Sequence, residues 1–243
     1  MNKNKAAQNG LSAEEKLAKQ NDLVHMMVHD LKTPLMGIIS NLDLVVNAKN
    51  LSEMEKEFAN TAMEGSQELY SMVMDILDLG KMETGILTLE YSSFDLGELA
   101  QRELKKFKQI ADGNKVNVHF EKKGDLSVTA DERIMKRIMA NLISNGLKYT
   151  PPGKNLQVFA EDAGESVKIT VKDEGPGVPS EYKERIFDKY FQIELRSHRK
   201  KGATGLGLPF CKMAAEAHNG EITLISTEEG SEFTVSIPKE AAG

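Results

Sequence analysis

The amino-acid sequence predicts an α+β protein in which a helical first third precedes alternating strands and helices. Apolar residues recur at helical spacing through residues 13–46 and 53–77. Farther along the chain, seven short runs typical of β-strands are interspersed with helical runs at 95–111, 131–149 and 206–218. We therefore expect a helical hairpin that forms a dimeric four-helix bundle, followed by an α/β sandwich with a mixed sheet.

The composition of the 243 residues excludes several classes of protein. The net charge of -6 argues against nonspecific binding to nucleic acid or to an anionic membrane. The single cysteine, Cys211, excludes a disulfide framework within the chain and fits a reducing compartment. No apolar run approaches the roughly 20 residues of a membrane span, and no signal-peptide pattern follows Met1. A membrane region farther upstream remains compatible with these features.

Changes in sequence pattern divide the chain into three segments. Residues 1–20 are predicted to be a lead-in, either disordered or the end of a longer helix. Residues 21–90 form the hairpin, and residues 91–243 form the sandwich. The first strand is predicted in the run "ILTLEY", next to the second boundary.

The hairpin is defined by the signals at its helix ends. The stretch "NAKN" interrupts the first helix, and Ser52 forms a capping box with Glu55 at the start of the second, which ends near Gly85. A lone hairpin leaves apolar surface in contact with water, and pairing with a second copy would cover it. We therefore expect a homodimer, with packing against the second domain of the same chain as the alternative.

The predicted helix at 131–149 carries polar residues on one face. Asn141, Asn145 and Lys148 are spaced i, i+4 and i+7, so they share that face. Two amide oxygens suit a hydrated magnesium ion and its phosphates, because Mg²⁺ prefers oxygen ligands and keeps several waters. Taken alone, the stripe is better explained by a solvated polar surface.

Two glycine-rich turns follow this helix. In "VKITVKDEGPGVP", a strand ends at Asp173, whose carboxylate could accept from an exocyclic amine, and Gly175 and Gly177 would let the backbone approach a ligand. In "GATGLGLPFCK", Gly205 and Gly207 open the last long helix, where bare amides can bind phosphate. The Walker A pattern is absent. The basic run "RSHRKK" between the turns fits either a mobile lid over an anionic ligand or a solvated loop.

Five segments, in order, resemble the motifs of sensor histidine kinases. "VHDLKTPL" resembles the H box, "NLISNGLKYT" the N box, "DEGPGVP" the G1 box, "IFDKYFQ" the F box and "GATGLGLPFCK" the G2 box. The similarity extends from about Leu23 to Pro238, and its ATP-binding part is shared with gyrase and Hsp90-type chaperones. Gly146 replaces the usual alanine, which slightly weakens the helix, and Pro209 follows the second glycine pair. Neither departure removes a functional group.

The resemblance implies a site for ATP and Mg²⁺. Asn145 would bind the metal, with Asn141 beside it, and Lys148 would reach phosphate. Asp173 would accept a hydrogen bond from the adenine amino group, and Tyr149 would pack near the adenine. Phe187 and Phe191 would anchor the lid, or belong to the ordinary core. The remaining cofactor-binding positions are Gly175, Gly177, Gly205, Leu206 and Gly207.

The H box contains a histidine in an unusual setting. The neutral imidazole of His29 is a good nucleophile near neutral pH if one ring nitrogen keeps a free lone pair. Asp30 is the candidate to hold the other nitrogen, although adjacent helical residues face each other only with a favourable rotamer or a bend. Pro34 lacks an amide hydrogen and crowds the carbonyl of Asp30, so we expect a bend. The resemblance makes His29 the phosphoacceptor, Asp30 its base and Thr33 the residue for dephosphorylating a partner.

The function implied by this resemblance is ATP-dependent autophosphorylation of His29, with transfer to an aspartate of a response regulator receiver domain. The regulator would dock near Leu35 and Ile38. The location would be cytoplasmic, or the cytoplasmic part of a membrane-anchored sensor, without nucleic-acid or membrane contact in this segment. Two alternatives are an ATPase driving a conformational clamp, which needs no hairpin histidine, and a nucleotide-gated scaffold, which the intact Asn145 and Asp173 argue against.

Overall fold

The computed structural model describes residues 31–32, 35–48, 51–83, 87–191 and 205–240. The chain divides into two compact units, Met1–Leu87 and Thr88–Gly243. Among the described residues, no helix combines the length and the apolar character that a membrane span requires.

The N-terminal unit contains helix α1, at residues 35–46, and helix α2, Glu53–Glu83. After α1, the side chain of Asn47 donates to the Asp43 carbonyl at 2.8 Å. The predicted capping box is confirmed. The backbone amide of Ser52 donates to Glu55 Oε2 at 2.8 Å, and the Glu55 amide donates to Ser52 Oγ at 3.3 Å. These bonds satisfy amides that the first turn of α2 would leave without partners.

Apolar side chains of this unit differ sharply in exposure. Leu35 and Val73 are buried, whereas Leu44 is 71% exposed and Phe58 66% exposed. Large apolar side chains at such exposure mark a surface suited to contact with another protein surface.

In the described residues of the C-terminal unit, seven strands form two sheets. Strand β1 pairs with β3 in a two-stranded antiparallel sheet, and the other five follow the order β2-β4-β5-β7-β6. The β2–β4 pair is parallel and the rest are antiparallel, so the predicted mixed sheet is confirmed. The strands are β1 (Tyr91–Asp95), β2 (Asn117–Lys123), β3 (Ser127–Asp131), β4 (Asn155–Asp162), β5 (Ser166–Asp173), β6 (Glu221–Thr227) and β7 (Gly230–Pro238).

Two predicted boundaries in this unit are wrong. The run "ILTLEY" contributes only its last residue, Tyr91, to β1, because the register with β3 begins at Tyr91 and Asp131. The amide of Glu90 donates instead to the Asp131 side chain. The helix predicted at 95–111 is two helices, since the chain turns at Phe107, whose amide donates to the Leu104 carbonyl. The helices of this unit are α3 (Leu96–Lys106), α4 (Lys108–Asn114), α5 (Glu132–Tyr149) and α6 (Gly207–Ala217).

Helix α5 begins at a buried aspartate. Asp131 Oδ1 accepts from the Ile134 amide at 3.0 Å, which caps the helix. The Asp131 amide donates to His218 Nε2 at 3.1 Å, and His218 Nδ1 lies 2.7 Å from the Ala214 carbonyl. Because Nε2 accepts the bond from Asp131, Nδ1 is the donor, and His218 is a neutral imidazole. His218 thus joins the start of α5 to the end of α6.

The core lies between the helices and one face of the five-stranded sheet. The predicted apolar stripe of α5 is confirmed, with every member at most 1% exposed: Ile134, Met135, Ile138, Met139, Leu142 and Ile143. The strand side chains that complete this core alternate along β4, β5 and β7: Leu156, Val158, Ala160, Val167, Ile169, Val171, Phe233, Val235 and Ile237.

Candidate functional site

The polar stripe of α5 lies beside the start of α6. Asn141, Asn145 and Lys148 are all half-buried. The Asn141 side-chain amide donates to the Gly207 carbonyl at 3.5 Å, and the Asn145 side chain has no hydrogen bond to any residue that the structure describes. The Lys148 ammonium lies 6.0 Å from the ring centre of Tyr149. One face of α5 therefore presents amide groups and a cation next to a helix N-terminus.

The start of α6 requires the glycines found there. Leu206 is buried at the N-cap, and Pro209 lies in the first turn, as predicted. A Cβ at Gly207 would lie 3.3 Å from Asn141 Oδ1. Gly205 has a φ of +70°, and a Cβ there would lie 2.8 Å from the carbonyl carbon of Tyr190. Larger residues would separate α6 from the segments that it contacts.

Asp173 is the last residue of β5 and is 6% exposed. Its Oδ1 accepts from the Gly175 amide at 2.8 Å and from the Ser231 amide at 3.4 Å. Burial raises the pKa of the Asp173 carboxyl, while these two bonds act in the opposite direction. Both contacts use Oδ1, so Oδ2 forms no hydrogen bond within the described structure.

The G1 loop, residues 174–178, runs between α5 and the β6–β7 turn. A Cβ at Gly175 would lie 2.9 Å from the Tyr149 carbonyl oxygen, so the loop contacts the end of α5. Gly177 has a φ of +70°, and a Cβ there would lie 1.8 Å from the carbonyl oxygen of Thr227. Within the loop, Glu174 accepts from the backbone and side-chain amides of Asn155, and these bonds lower the pKa of Glu174.

Tyr149 ends α5 beside this loop. Its side chain is 41% exposed, and partial burial of the phenol raises the pKa of Tyr149. The ring of Tyr149 is thus partly exposed, and its packing against an adenine stays a prediction.

The two aromatic residues of the F box have distinct surroundings. The ring of Phe191 lies 5.6 Å from that of Tyr182 and 4.3 Å from the Arg185 guanidinium. The Phe187 ring lies 5.9 Å from the Lys212 ammonium of α6. Both rings are half-buried, so they hold the segment before residue 192 against its neighbours. The basic run "RSHRKK", residues 196–201, lies outside the described residues.

Several predicted residues also lie outside the described residues. These belong to the H box and are His29, Asp30, Thr33 and Pro34. The roles assigned to them, including the bend at Pro34 and the contact between Asp30 and His29, remain predictions.

The sequence prediction missed three residues in, or next to, the cross-strand row that contains Asp173. Ser231 and Ser226 follow Asp173 in one cross-strand row, and Gly230 contacts it from the turn, where a Cβ would lie 2.0 Å from the Asp173 carbonyl oxygen. The alternation of inward-facing and outward-facing residues along β6 and β7 contained a signal for the two serines. The inward series Ile222, Leu224 ends in Ser226, and the series in β7 begins with Ser231.

Comparisons with known proteins identify the family. Residues 19–85 match the His Kinase A (phospho-acceptor) domain, and residues 130–241 match the histidine kinase-, DNA gyrase B-, and HSP90-like ATPase. The catalytic domain of histidine kinase ThkA is 30% identical, with a TM-score of 0.56 over 63% of this chain and 97% of that one. The chain belongs to the histidine kinase family. The phospho-acceptor match separates it from clamp-type ATPases.

Two further histidine kinases resemble the chain over most of its length. The sensor-like histidine kinase SenX3 of Mycolicibacterium smegmatis is 27% identical over 91% of this chain and 58% of that protein. ThkA in complex with the response regulator TrrA is 25% identical, with a TM-score of 0.62 over 93% of this chain and 64% of that one. This chain therefore spans little more than half the length of SenX3.

The contact between Gly177 and the β6–β7 turn gives a stability prediction. Gly177→Ala should destabilise the protein by about 1–3 kcal/mol more than Gly153→Ala. Of these two glycines, Gly177 is the one whose Cβ position faces a backbone atom. Gly153 has a similar φ of +83° with nothing within 4 Å of its Cβ position, so its substitution costs only backbone strain, about 1–2 kcal/mol. Chemical denaturation measures both values, and equal losses would contradict the proposed contact.

Proposed function

We propose that this chain is an ATP-dependent protein histidine kinase that phosphorylates His29 and passes the phosphoryl group to an aspartate of a response regulator. The observation that carries the proposal is the convergence around one site of the buried Asp173, the polar face of α5 and the glycine-rich start of α6. Each of these features provides contacts for a different part of ATP.

The adenine end of ATP is assigned to Asp173. Oδ1 is held by two backbone amides, which leaves Oδ2 to accept from the adenine amino group. Gly175 lets the backbone pass within contact distance of Tyr149, whose exposed ring can pack against the base. A buried acceptor flanked by an aromatic ring favours a base that carries an amine.

The phosphate end is assigned to α5 and α6. The backbone amides at the start of α6 and the Lys148 ammonium provide positive electrostatic potential for phosphate. Mg²⁺ fits the donor set, since Asn145 retains its full hydrogen-bonding capacity among the described residues and Asn141 uses only its amide nitrogen. Bound Mg²⁺ would neutralise charge on the β- and γ-phosphates during transfer.

The phosphoryl acceptor is assigned to His29. A ring nitrogen attacks the γ-phosphorus, the bond to the bridging oxygen breaks, and ADP leaves with that electron pair. Asp30 holds the other ring nitrogen and stabilises the positive charge that develops on the imidazole. The match of residues 19–85 to the phospho-acceptor domain supports this assignment.

The partners follow from the N-terminal unit. Exposed side chains such as Leu44 and Phe58 support a homodimer in which the hairpins form a four-helix bundle. The similarity to ThkA, whose structure was solved in complex with the response regulator TrrA, supports a receiver domain as second partner. The exposed side chain of Ile38 is available for that contact, whereas the side chain of Leu35 is buried within the N-terminal unit. The location proposed is the cytoplasm, either free or below a membrane anchor.

Replacing the adenine acceptor should separate binding from stability. Asp173→Asn should weaken ATP binding by about 10- to 100-fold, because a charge-assisted hydrogen bond is lost. Stability at neutral pH should change by less than about 1 kcal/mol, since the buried charge disappears with it. Nucleotide titration and urea unfolding provide the two measurements.

The same variant should also change how the stability of the folded protein depends on pH. The raised pKa of Asp173 means that the folded parent binds a proton more tightly than the unfolded chain does. The parent should therefore lose stability as pH rises from the unfolded pKa through the raised folded pKa, and Asp173→Asn should lack this contribution. Identical pH profiles would contradict the assignment of a buried, ionising Asp173.

Replacing the phosphoacceptor tests the reaction directly. His29→Gln should abolish acid-labile, alkali-stable labelling by γ-labelled ATP in the presence of Mg²⁺, because the nucleophile is gone. ATP affinity should stay at the parent value, since His29 lies in the other compact unit. Label that persists in the variant would remove His29 from this role.

Thr33 is proposed to act in dephosphorylating the regulator, as the H-box resemblance implies. Thr33→Ala should slow loss of phosphate from the phosphorylated receiver domain while leaving autophosphorylation unchanged. Autophosphorylation can be followed with γ-labelled ATP, and loss of label from the phosphorylated receiver domain can be followed separately in the presence of ADP. Thr61→Ala on α2 is a matched hydroxyl deletion. An equal loss of both activities would indicate a structural role instead.

A further inference from the structure

One end of the five-stranded sheet carries a row of polar side chains across three strands. Asp173 of β5 is the register partner of Ser231 of β7, and Ser231 is the partner of Ser226 of β6. All three are nearly buried. The next row on the same face is apolar throughout and contains Val171, Phe233 and Leu224. This buried polar row differs from the apolar rows of the core next to it, so its side chains need polar partners.

The Ser226 hydroxyl uses its complete hydrogen-bonding capacity. It accepts from the Val178 amide at 2.7 Å, lies 3.0 Å from Ser231 Oγ and donates to the Gly230 carbonyl at 3.1 Å. A hydroxyl has one hydrogen and two lone pairs, so the consistent arrangement has Ser231 as donor to Ser226. Removing this hydroxyl would leave two donors and one carbonyl without their partners.

The main chain of Ser226 makes a second contact on the same side. Its carbonyl accepts from the Lys183 ammonium at 2.7 Å. The G1 loop is thus held to β6 at Val178, immediately after the loop glycines. The segment that follows the loop is held to the same residue of β6 by Lys183. Because Gly177 already lies against Thr227, the β6–β7 turn fixes where the loop runs.

We propose that Ser226 is a positioning residue for adenine recognition, holding the G1 loop and Ser231 in place around the carboxylate of Asp173. This inference rests on the proposed function and concerns the adenine end of that site. Ser226 need not touch the nucleotide. It acts through Val178, which fixes the end of the loop, and through Ser231, whose amide donates to Asp173.

The selectivity of the site for the exocyclic amine should therefore depend on Ser226. Ser226→Ala should weaken ATP binding about tenfold, because the loop loses its anchor. Binding of inosine triphosphate, which carries an oxygen in place of the amine, should weaken less, so the preference for ATP should shrink. In autophosphorylation, KM for ATP should rise while kcat at saturating ATP changes little.

The experiment compares nucleotide titrations of the full chain and its variants. Ser236→Ala is the matched control, because it removes a β7 hydroxyl whose one hydrogen bond among the described residues is to Ser166 Oγ, at 3.4 Å. Ser226→Thr keeps the hydroxyl and should restore both ATP affinity and hydrogen-exchange protection of the Val178 amide. Ser226→Cys, nearly isosteric but a weak acceptor, provides the same comparison should the alanine variant fail to fold.

The possible results separate the two proposals. If the parent does not bind ATP, the proposed function fails, and this inference fails with it. If the parent binds ATP and Ser226→Ala retains both its affinity and its preference over inosine triphosphate, the positioning role is overturned while the function stands. Equal weakening of both nucleotides would likewise overturn it, because that result indicates general destabilisation.

Discussion

The site depends on the close approach of the last turns of α5 to the sheet and to the G1 loop. A Cβ at Gly146 would lie 2.3 Å from Leu156 Cδ1, so the side chain of Leu156 occupies the space that a larger residue would need. One turn later, the Tyr149 carbonyl lies within contact distance of Gly175. Gly146 allows α5 to approach the sheet, and Gly175 allows the G1 loop to approach the end of α5. Together they let the polar face of α5 lie beside Asp173.

This approach gives Gly146 a role that helix propensity does not reveal. On the sequence alone, the glycine only weakens α5 slightly, by roughly the 1 kcal/mol that separates glycine from alanine in a helix. In the structure, the side chain of Leu156 occupies the space that a side chain at position 146 would fill. The cost within the helix is offset by burial of Leu156, which is fully inaccessible to solvent.

Local patterns predicted much of the fold and of the candidate site. The α5 stripe, the Ser52–Glu55 capping box and the inward alternation of β5 all arise from residues within one or two turns or strands of each other. The prediction of Asp173 at a strand end followed the same logic. The break at Phe107 was missed because the apolar spacing continues across it, although the backbone turns there.

Contacts between distant segments could not be read from the sequence. The parallel pairing of β2 with β4 and the order of the strands join residues far apart in the chain. The role of Ser226 depends on Val178, 48 positions away, and that of His218 on Asp131, 87 positions away. A serine or a histidine at such a position is ordinary until the fold brings its partner near.

The placement of β6 and β7 has a consequence for synthesis of the kinase. Strand β7 pairs with β5, β6 lies beyond β7 at the edge of the sheet, and the turn between them holds the G1 loop. A ribosome therefore releases the N-terminal helices and α5 well before these strands can complete the sheet around Asp173. Because chains fold from the N-terminus during synthesis, the nascent N-terminal unit can fold before the C-terminal unit is complete. Under the proposed function, the hairpin could then pair with a second copy before its own chain is able to bind ATP.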